Sequence, residues 1–564
     1  MQLTSLDIIF FLAFVAFVVG FAILMSRKER DSTDYFLAGR GATWPLIGFS
    51  LIAANISTEQ FVGMSGAGAG NAGLAIASYE WIAAITLVIV ALFFLPRFLR
   101  AGIFTIPEYL EYRYSPAARV VMSLLLLTMF VFITTVAVVF SGGVTLDIFF
   151  GNHTYPLIGE VTLVKGIWAI GLVAVIYTAF GGLRAVLWAD LVQGSALILG
   201  GAAVTLFTLK AAGGWNAAMA HAEVSKRMHM VLPSDHPELP WTIFLLGIWI
   251  PNLYYWGLNQ YITQRTLAAK TLRAGQLGVM FAACLKLIIP FVIVIPGILA
   301  PLVLGDKLQP GMETANDPVY PMLIRELIGP GWRGFVLAAL AGAVISSLAS
   351  MLNSASTIFT MDVYKRLIMP SASQISLVWL GRITTILFMI IACVLAPSLA
   401  DPRFGGVFKF IQEFQGLFSP GILAAFVVGF AVPRAPAAAA IVGMVISPLV
   451  YGVMKWPVGW YLTSKYVFET AETRAADVFA KLGTAPGGFD RFMGYLYDMA
   501  FLNRMGITFV IILIVMAIIT KLAPLREPRT MPVSQNFDMQ SSRSVSIVGG
   551  AVVLVTVGLY VFFW

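Results

Sequence analysis

An all-α polytopic membrane protein with about 14 transmembrane helices is what this sequence predicts, and three observations predict it. Apolar runs of roughly 20 residues, each long enough to cross a ~30 Å hydrocarbon core, recur along all 564 residues. Hydrophobic residues make up 59% of the chain and charged residues only 11%, with a mean hydropathy of +0.87, too little charge to clothe a soluble domain of this size. Lys and Arg gather in alternate connections between the apolar runs, as the positive-inside rule requires of a multi-span protein.

In chain order the spans fall near 6–26, 44–66, 72–96, 120–148, 162–180, 187–209, 241–259, 275–304, 334–363, 375–397, 407–431, 436–454, 499–520 and 545–564. The first has no basic stretch before it and no small-residue cleavage site after it, so it reads as a retained span. The connection after it carries Arg27, Lys28, Arg30 and Arg40. Later alternate connections carry Arg97, Arg100 and Arg113, then Arg265, Lys270 and Arg273, then Lys365 and Arg366, and last Lys521, Arg526 and Arg529. Between Asp147 and Val164 there is neither Lys nor Arg. The basic set is therefore expected in the cytoplasm, with both termini and the segments 210–240, 305–333 and 455–498 outside. A cell membrane, and a bacterial inner membrane in particular, suits the compact loops.

Several function classes drop out. The net charge of +8 lies in connections, where lipid orientation explains it better than nucleic acid does. Cys284 and Cys393 lie inside apolar runs and form neither a disulfide framework nor, with the scattered histidines, a metal site. There is no phosphate-binding Walker loop and no nucleophile elbow, so the chain is expected to be no enzyme, with no catalytic residues and no organic cofactor.

Two spans are interrupted. The second holds Asn55-Ile-Ser-Thr-Glu-Gln60 between apolar flanks, and the seventh holds Pro251-Asn-Leu-Tyr-Tyr255. Broken helices at matching places in two halves point to a repeat-built transporter and to its binding site. Polar residues within a span need a partner or a task. Glu80, in Ser78-Tyr-Glu-Trp81, either bonds a neighbouring helix or accepts from two hydroxyls of a solute at once. Lys286 either serves the same pocket or snorkels about ten residues, ~15 Å, to the interface. Gln412 and Glu413 fit an interface as well as a site. The ninth span runs Ser346-Ser347 through Ser350, Asn353, Ser354, Ser356 and Thr357. Its hydroxyls suit close helix packing, and two adjacent ones with carbonyls from an unwound neighbour also suit Na⁺, a hard cation.

With these residues laid out, the chain resembles the sodium/solute symporter family, and closely its sodium/glucose–galactose branch. The matching strings are Ser50 to Met64, Ala77 to Trp81, Thr105 to Tyr109, Gly181 to Val186 with Asp190, Gln264 to Lys270, and Ser346 to Asp362. The resemblance implies a five-plus-five inverted-repeat, LeuT-like core with alternating access. It divides the chain into a peripheral first helix and loop (1–43), a first five-helix repeat (44–212), an outer loop (213–240), a second repeat (241–434) and peripheral C-terminal helices (435–564). It implies a sugar held by Gln60, Glu80, Asn252, Lys286 and Gln412 with Asn55 nearby. Tyr255 would stack on the ring as an inner gate, and Met64, Tyr79 and Phe408 would form an apolar outer gate. It implies Na⁺, the coupling ion, on the carbonyls of Ala53, Ile56 and Ala343 and the hydroxyls of Ser346 and Ser347, with Asp190 on its inward path. Ala83, Phe140 and Ala189 depart from residues seen in some relatives, which leaves the preferred hexose open. The function so implied is sodium-driven hexose uptake; the alternatives are symport of an inositol, a sialic acid or an amino acid, a solute channel, or a sensor. Partners would be a small sugar, sodium and membrane lipid, with no nucleic acid; no oligomeric state is assigned.

Overall fold

The computed structural model describes residues 4–25, 31–56, 58–151, 154–155, 159–307, 319–401, 407–468, 473–482, 486–534 and 537–564. Ser57 and the loop residues Arg27, Lys28 and Arg30 lie outside them. The chain is nearly all helical; among the described residues the one sheet is a short antiparallel pair, Thr154–Tyr155 with Gly159–Glu160. Eleven of the described helices are long and apolar enough to cross a membrane. The three other expected spans are short or broken helices, and two of these breaks organise the site.

Near 44–66 the chain forms two helices, Trp44–Asn55 and Thr58–Ala69. Ile56, between them, has φ −84° and ψ 88°, well out of helical geometry. Near 241–259 a 3₁₀ turn, Trp241–Leu245, leads into the helices Trp249–Leu258 and Gln260–Leu267. The break here falls at Asn259, with φ −77° and ψ 120°, and not at Pro251–Tyr255 as the sequence suggests. Pro251 sits in the first turn of its helix, where the missing N–H breaks no ladder bond, so it opens the helix instead of interrupting it. The expected spans at 162–180 and 187–209 form one run, Leu163–Ala211, bent at Gly182, whose φ of 52° and ψ of −161° only glycine adopts readily.

Trp332–Ile368 lies almost wholly enclosed at the centre, while Ser5–Met25, Phe501–Leu522 and Arg543–Phe562 have most of their residues less than fully buried, at the rim. Small residues admit the close packing that membrane helices need. A Cβ on Gly194 would come within 3.2 Å of that of Ala53, and one on Gly142 within 2.8 Å of the Val344 side chain, so the sixth span packs closely on the second and the fourth on the ninth.

Both chain ends meet segments expected on one side. Asp7 accepts from the Gly331 and Gly334 amides at 2.8 and 3.1 Å and pairs with Arg333, while the Met230 amide donates to the Phe563 carbonyl. The connection after the thirteenth span runs as a strap over three loops: Leu525 N bonds Arg434 O, Ser534 N bonds Arg100 O, and Leu272 N bonds Asp538 O. Two charges counted among the orienting loop residues belong to the interior. Arg113 is buried, donating to the carbonyls of Gly429 and Val432, and Arg265 is fully enclosed in an ion pair.

Candidate functional site

The first break brings three elements together. Asn55, the last residue of its helix, faces the long helix Leu272–Leu304, where Lys286 is fully buried. The Lys286 ammonium donates to the Asn55 amide oxygen and forms an ion pair with Glu80, in the first turn of Ser78–Ile89. It also lies 5.0 Å from the centre of the Trp256 ring, close enough for a cation–π contribution. Lys286 therefore does not snorkel. Inside the bundle Lys286 has a carboxylate, an amide oxygen and a ring face around it, the kind of partners an intramembrane ionisable group needs. Asn55 continues the network: its amide nitrogen donates to the Tyr255 hydroxyl at 3.0 Å, and the Tyr261 hydroxyl donates to Tyr255 as well. Through Tyr255 the network thus joins the broken second span to both sides of the broken seventh.

Asn252 lies on the same helix as Tyr255, its amide nitrogen held by the Ile248 carbonyl at 2.9 Å. The side-chain oxygens of Gln60 and Gln412 are buried and meet no partner among the described residues. Buried acceptors of this kind are expensive to leave unmatched, and they suit a ligand rich in hydroxyl donors. Gln415, on the same eleventh span, donates to the Pro251 carbonyl at 3.4 Å, which sets this helix beside Asn252. Tyr79 and Phe408 meet edge to face, centroids 5.4 Å apart and planes at 89°, and Met64 is fully buried. Gly63 makes room for this arrangement, since a Cβ there would come within 2.8 Å of Phe408.

Glu413 does not belong to an interface. It accepts from the Tyr451 hydroxyl at 2.8 Å and from Lys455 at 2.8 Å, with Arg504 at 3.9 Å, tying the eleventh span to the twelfth and thirteenth. Glu413→Gln keeps the shape but leaves two cations without their counter-charge. We expect it to cost about 2 kcal/mol, the scale of a hydrogen bond to a charged group, and to lower the apparent Tm in detergent. An unchanged Tm would show that the cluster carries no stability.

A second cluster lies beside the first. Ser347 donates to the Ala54 carbonyl at 3.1 Å, so the ninth span reaches the end of the Trp44–Asn55 helix. The last carbonyls of a helix lack partners inside it, which makes them available to a hydroxyl or a cation. Ala53, Ile56 and Ala343 are buried in the same region, with Ala343 one turn before Ser347. The oxygens at hand are neutral hydroxyls and carbonyls, a donor set that suits Na⁺ better than a softer ion. Ser346, next to it in the chain, donates to Asp190.

Asp190 is the hub of a network that sequence reasoning missed. Ser50, Ser346 and Arg265 all donate to it, and Arg265 also donates to Ser50, Ser350 and the Tyr261 carbonyl. Arg265 and Asp190 are both fully buried. The place of Arg265 in the family-matching string Gln264 to Lys270 was the available signal, but position alone made it look like one more loop charge. Tyr261 and Trp256 were missed as well; each lies within six residues of Tyr255, and nothing in the sequence reports which way an aromatic ring faces.

Two broken helices that meet around buried polar clusters, inside a bundle of membrane-length helices, define a secondary transporter. The chain belongs to the Sodium:solute symporter family, which it matches over residues 35–447. A sodium/glucose cotransporter of Vibrio parahaemolyticus is 40% identical over 508 residues, covering 86% of this chain and 91% of that protein. An uncharacterized symporter of Escherichia coli (strain K12) is 32% identical and covers 99% of this chain and 91% of its own length. A sodium/myo-inositol cotransporter 2 of Oryctolagus cuniculus is 30% identical, covering 78% and 68%. The structure of a Na⁺-coupled sialic acid symporter in its substrate-bound outward-open state superposes with a TM-score of 0.73 at 20% identity, covering 94% of this chain and 99% of that one, which establishes a shared fold. The protein is a sodium-coupled solute symporter and not an enzyme.

Proposed function

We propose that the protein couples inward movement of sodium to uptake of a hexose by alternating access. Its chain would cross a cell membrane 14 times or so, both termini outside, with 44–212 and 241–434 as the two five-helix repeats. The observation that carries the reading is Asn55: its side chain joins Lys286 to Tyr255, and the carbonyl of the preceding residue, Ala54, meets Ser347. Solute contacts and sodium contacts are then made by consecutive residues of one broken helix. Sodium at Ala53, Ile56, Ala343, Ser346 and Ser347 would hold the second span against the ninth and order Asn55. Gln60, Glu80, Asn252, Lys286 and Gln412 would then bond the sugar over the Tyr255 ring, and each ligand would raise the other's affinity by the same factor. Asp190 would receive the ion on its way inward.

The pairing of Lys286 with Glu80 speaks for a neutral polyhydroxy solute. An amino acid needs a free charge for each of its own, and here the two charges satisfy one another. The decisive experiment is sodium-dependent uptake of labelled hexoses and myo-inositol into proteoliposomes, with an amino-acid panel alongside. Ser347→Ala should raise the sodium concentration needed for half-maximal uptake. Gln60→Ala and Glu80→Ala should remove sugar binding while sodium still binds. Uptake that ignores sodium in the parent protein would sink the coupling, and sugar binding retained in both variants would place the sugar elsewhere.

A further inference from the structure

We propose that Asp362 is the latch of an inner gate, and that it closes a polar seam which opens when the carrier opens on that side. The seam lies beyond Tyr261 from the Asn55 cluster, between the helix Gln260–Leu267 and the inner half of the ninth span. Asn259 and Asn353 are buried, and neither amide has any hydrogen-bond partner among the described residues. The amide nitrogen of Gln260, the hydroxyl of Thr360 and one oxygen of Asp362 are buried and unpartnered too. The two walls touch through Gln264, which donates to Thr357 at 3.0 Å and accepts from Ser354 at 2.6 Å.

Buried polar groups are almost always matched, so a run of unmatched ones on two facing helices calls for an explanation. Groups that water reaches when the carrier opens on that side supply it: closing brings their amides and hydroxyls together inside the bundle, and something must hold the seam shut. Asp362 does so in an unusual way. Both Nε and the terminal nitrogen of Arg119 converge on the same carboxylate oxygen, Oδ1, and Thr105 donates to that oxygen at 2.8 Å. A fork-to-fork arginine pair would use both oxygens. Here Oδ2 is left without a partner while every donor pulls from the other side. Arg119 is braced by Glu111 at 2.8 Å, and Glu111 by Arg366 at 2.5 Å. The latch thus joins the segment between the third and fourth spans to the inner end of the ninth. Ile106, next to Thr105, donates to Gln260 at 2.8 Å, so the same segment also grips the far wall. Breaking the Asp362 contacts frees both walls together.

The test reads accessibility and needs no solute. In full-length protein with Cys284 and Cys393 replaced by Ala, Gln260→Cys or Thr360→Cys reports on the seam through labelling by a membrane-impermeant thiol reagent in oriented proteoliposomes. Asp362→Asn and Thr105→Val each remove a latch contact with little change of shape. Either should raise the labelling rate from the side bearing Arg97 and Arg100 by about tenfold, the response of a two-state gate whose open fraction grows by that factor. Labelling from the opposite side should fall or stay unchanged. Equal labelling rates in parent and both latch variants, with the protein folded by size-exclusion chromatography, would overturn the proposal. So would a rise in labelling from both sides at once, which marks loosened structure in place of a gate. A variant that does not fold is replaced by the other, since they act on different partners of the same oxygen.

Discussion

Lys286→Met is expected to abolish solute uptake and to cost about 3–5 kcal/mol of stability, because it strands the Glu80 carboxylate inside the bundle without its counter-charge. The stability loss is not the worth of the pair; it is the penalty of an unmatched buried charge. The double variant Lys286→Met with Glu80→Met removes both charges and should recover most of the stability, since apolar pairs often replace buried ion pairs without loss. Uptake should not recover with it. A thermal-shift series on the two single variants and the double variant, read beside transport, separates the two roles. Recovery of uptake in the double variant would show that the pair serves the fold alone.

The second large effect is expected at Arg265. Arg265→Met leaves Asp190 fully buried with hydroxyl donors and no cation, and should again cost about 3–5 kcal/mol in sodium-free buffer. Sodium is the counter-ion at hand, because Ser346 belongs both to the Asp190 network and to the proposed ion site. The variant should therefore gain more Tm from sodium than the parent does, with choline as the control, since a ligand that binds only the folded state stabilises it in proportion to occupancy. Equal shifts in sodium and choline would detach Asp190 from the ion path.

The fold was legible because hydropathy is an averaged signal, and long apolar runs with basic loops survive the averaging. Both interruptions could be seen for the same reason: polar residues within a span stand out wherever they lie. The exact break in the seventh span could not. Pro251 announces a helix breaker, but whether it opens a helix or ends one depends on where the previous turn stops, and Asn259 carries no such warning. Among site residues, Asn55, Glu80 and Lys286 were identifiable as costly groups, and the structure joins all three in one network. Their being partners was not legible, because Lys286 is 206 residues from Glu80 and pairing across that distance is decided by helix packing. Arg265 and Arg119 were hidden by a different effect. An arginine at the end of an apolar run looks like a loop charge whether it faces water or turns back into the bundle.

The strap of residues 523–542 bears on how the protein is made. Its bonds reach Arg434, Arg100 and the Leu272 amide, on loops spread across most of the chain's length. A ribosome delivers those loops one after another, and the strap only after all of them. Its docking then depends on the topology of the spans before it: a nascent chain with one of those helices inserted the wrong way round presents a loop to the opposite face, and the strap finds a partner missing.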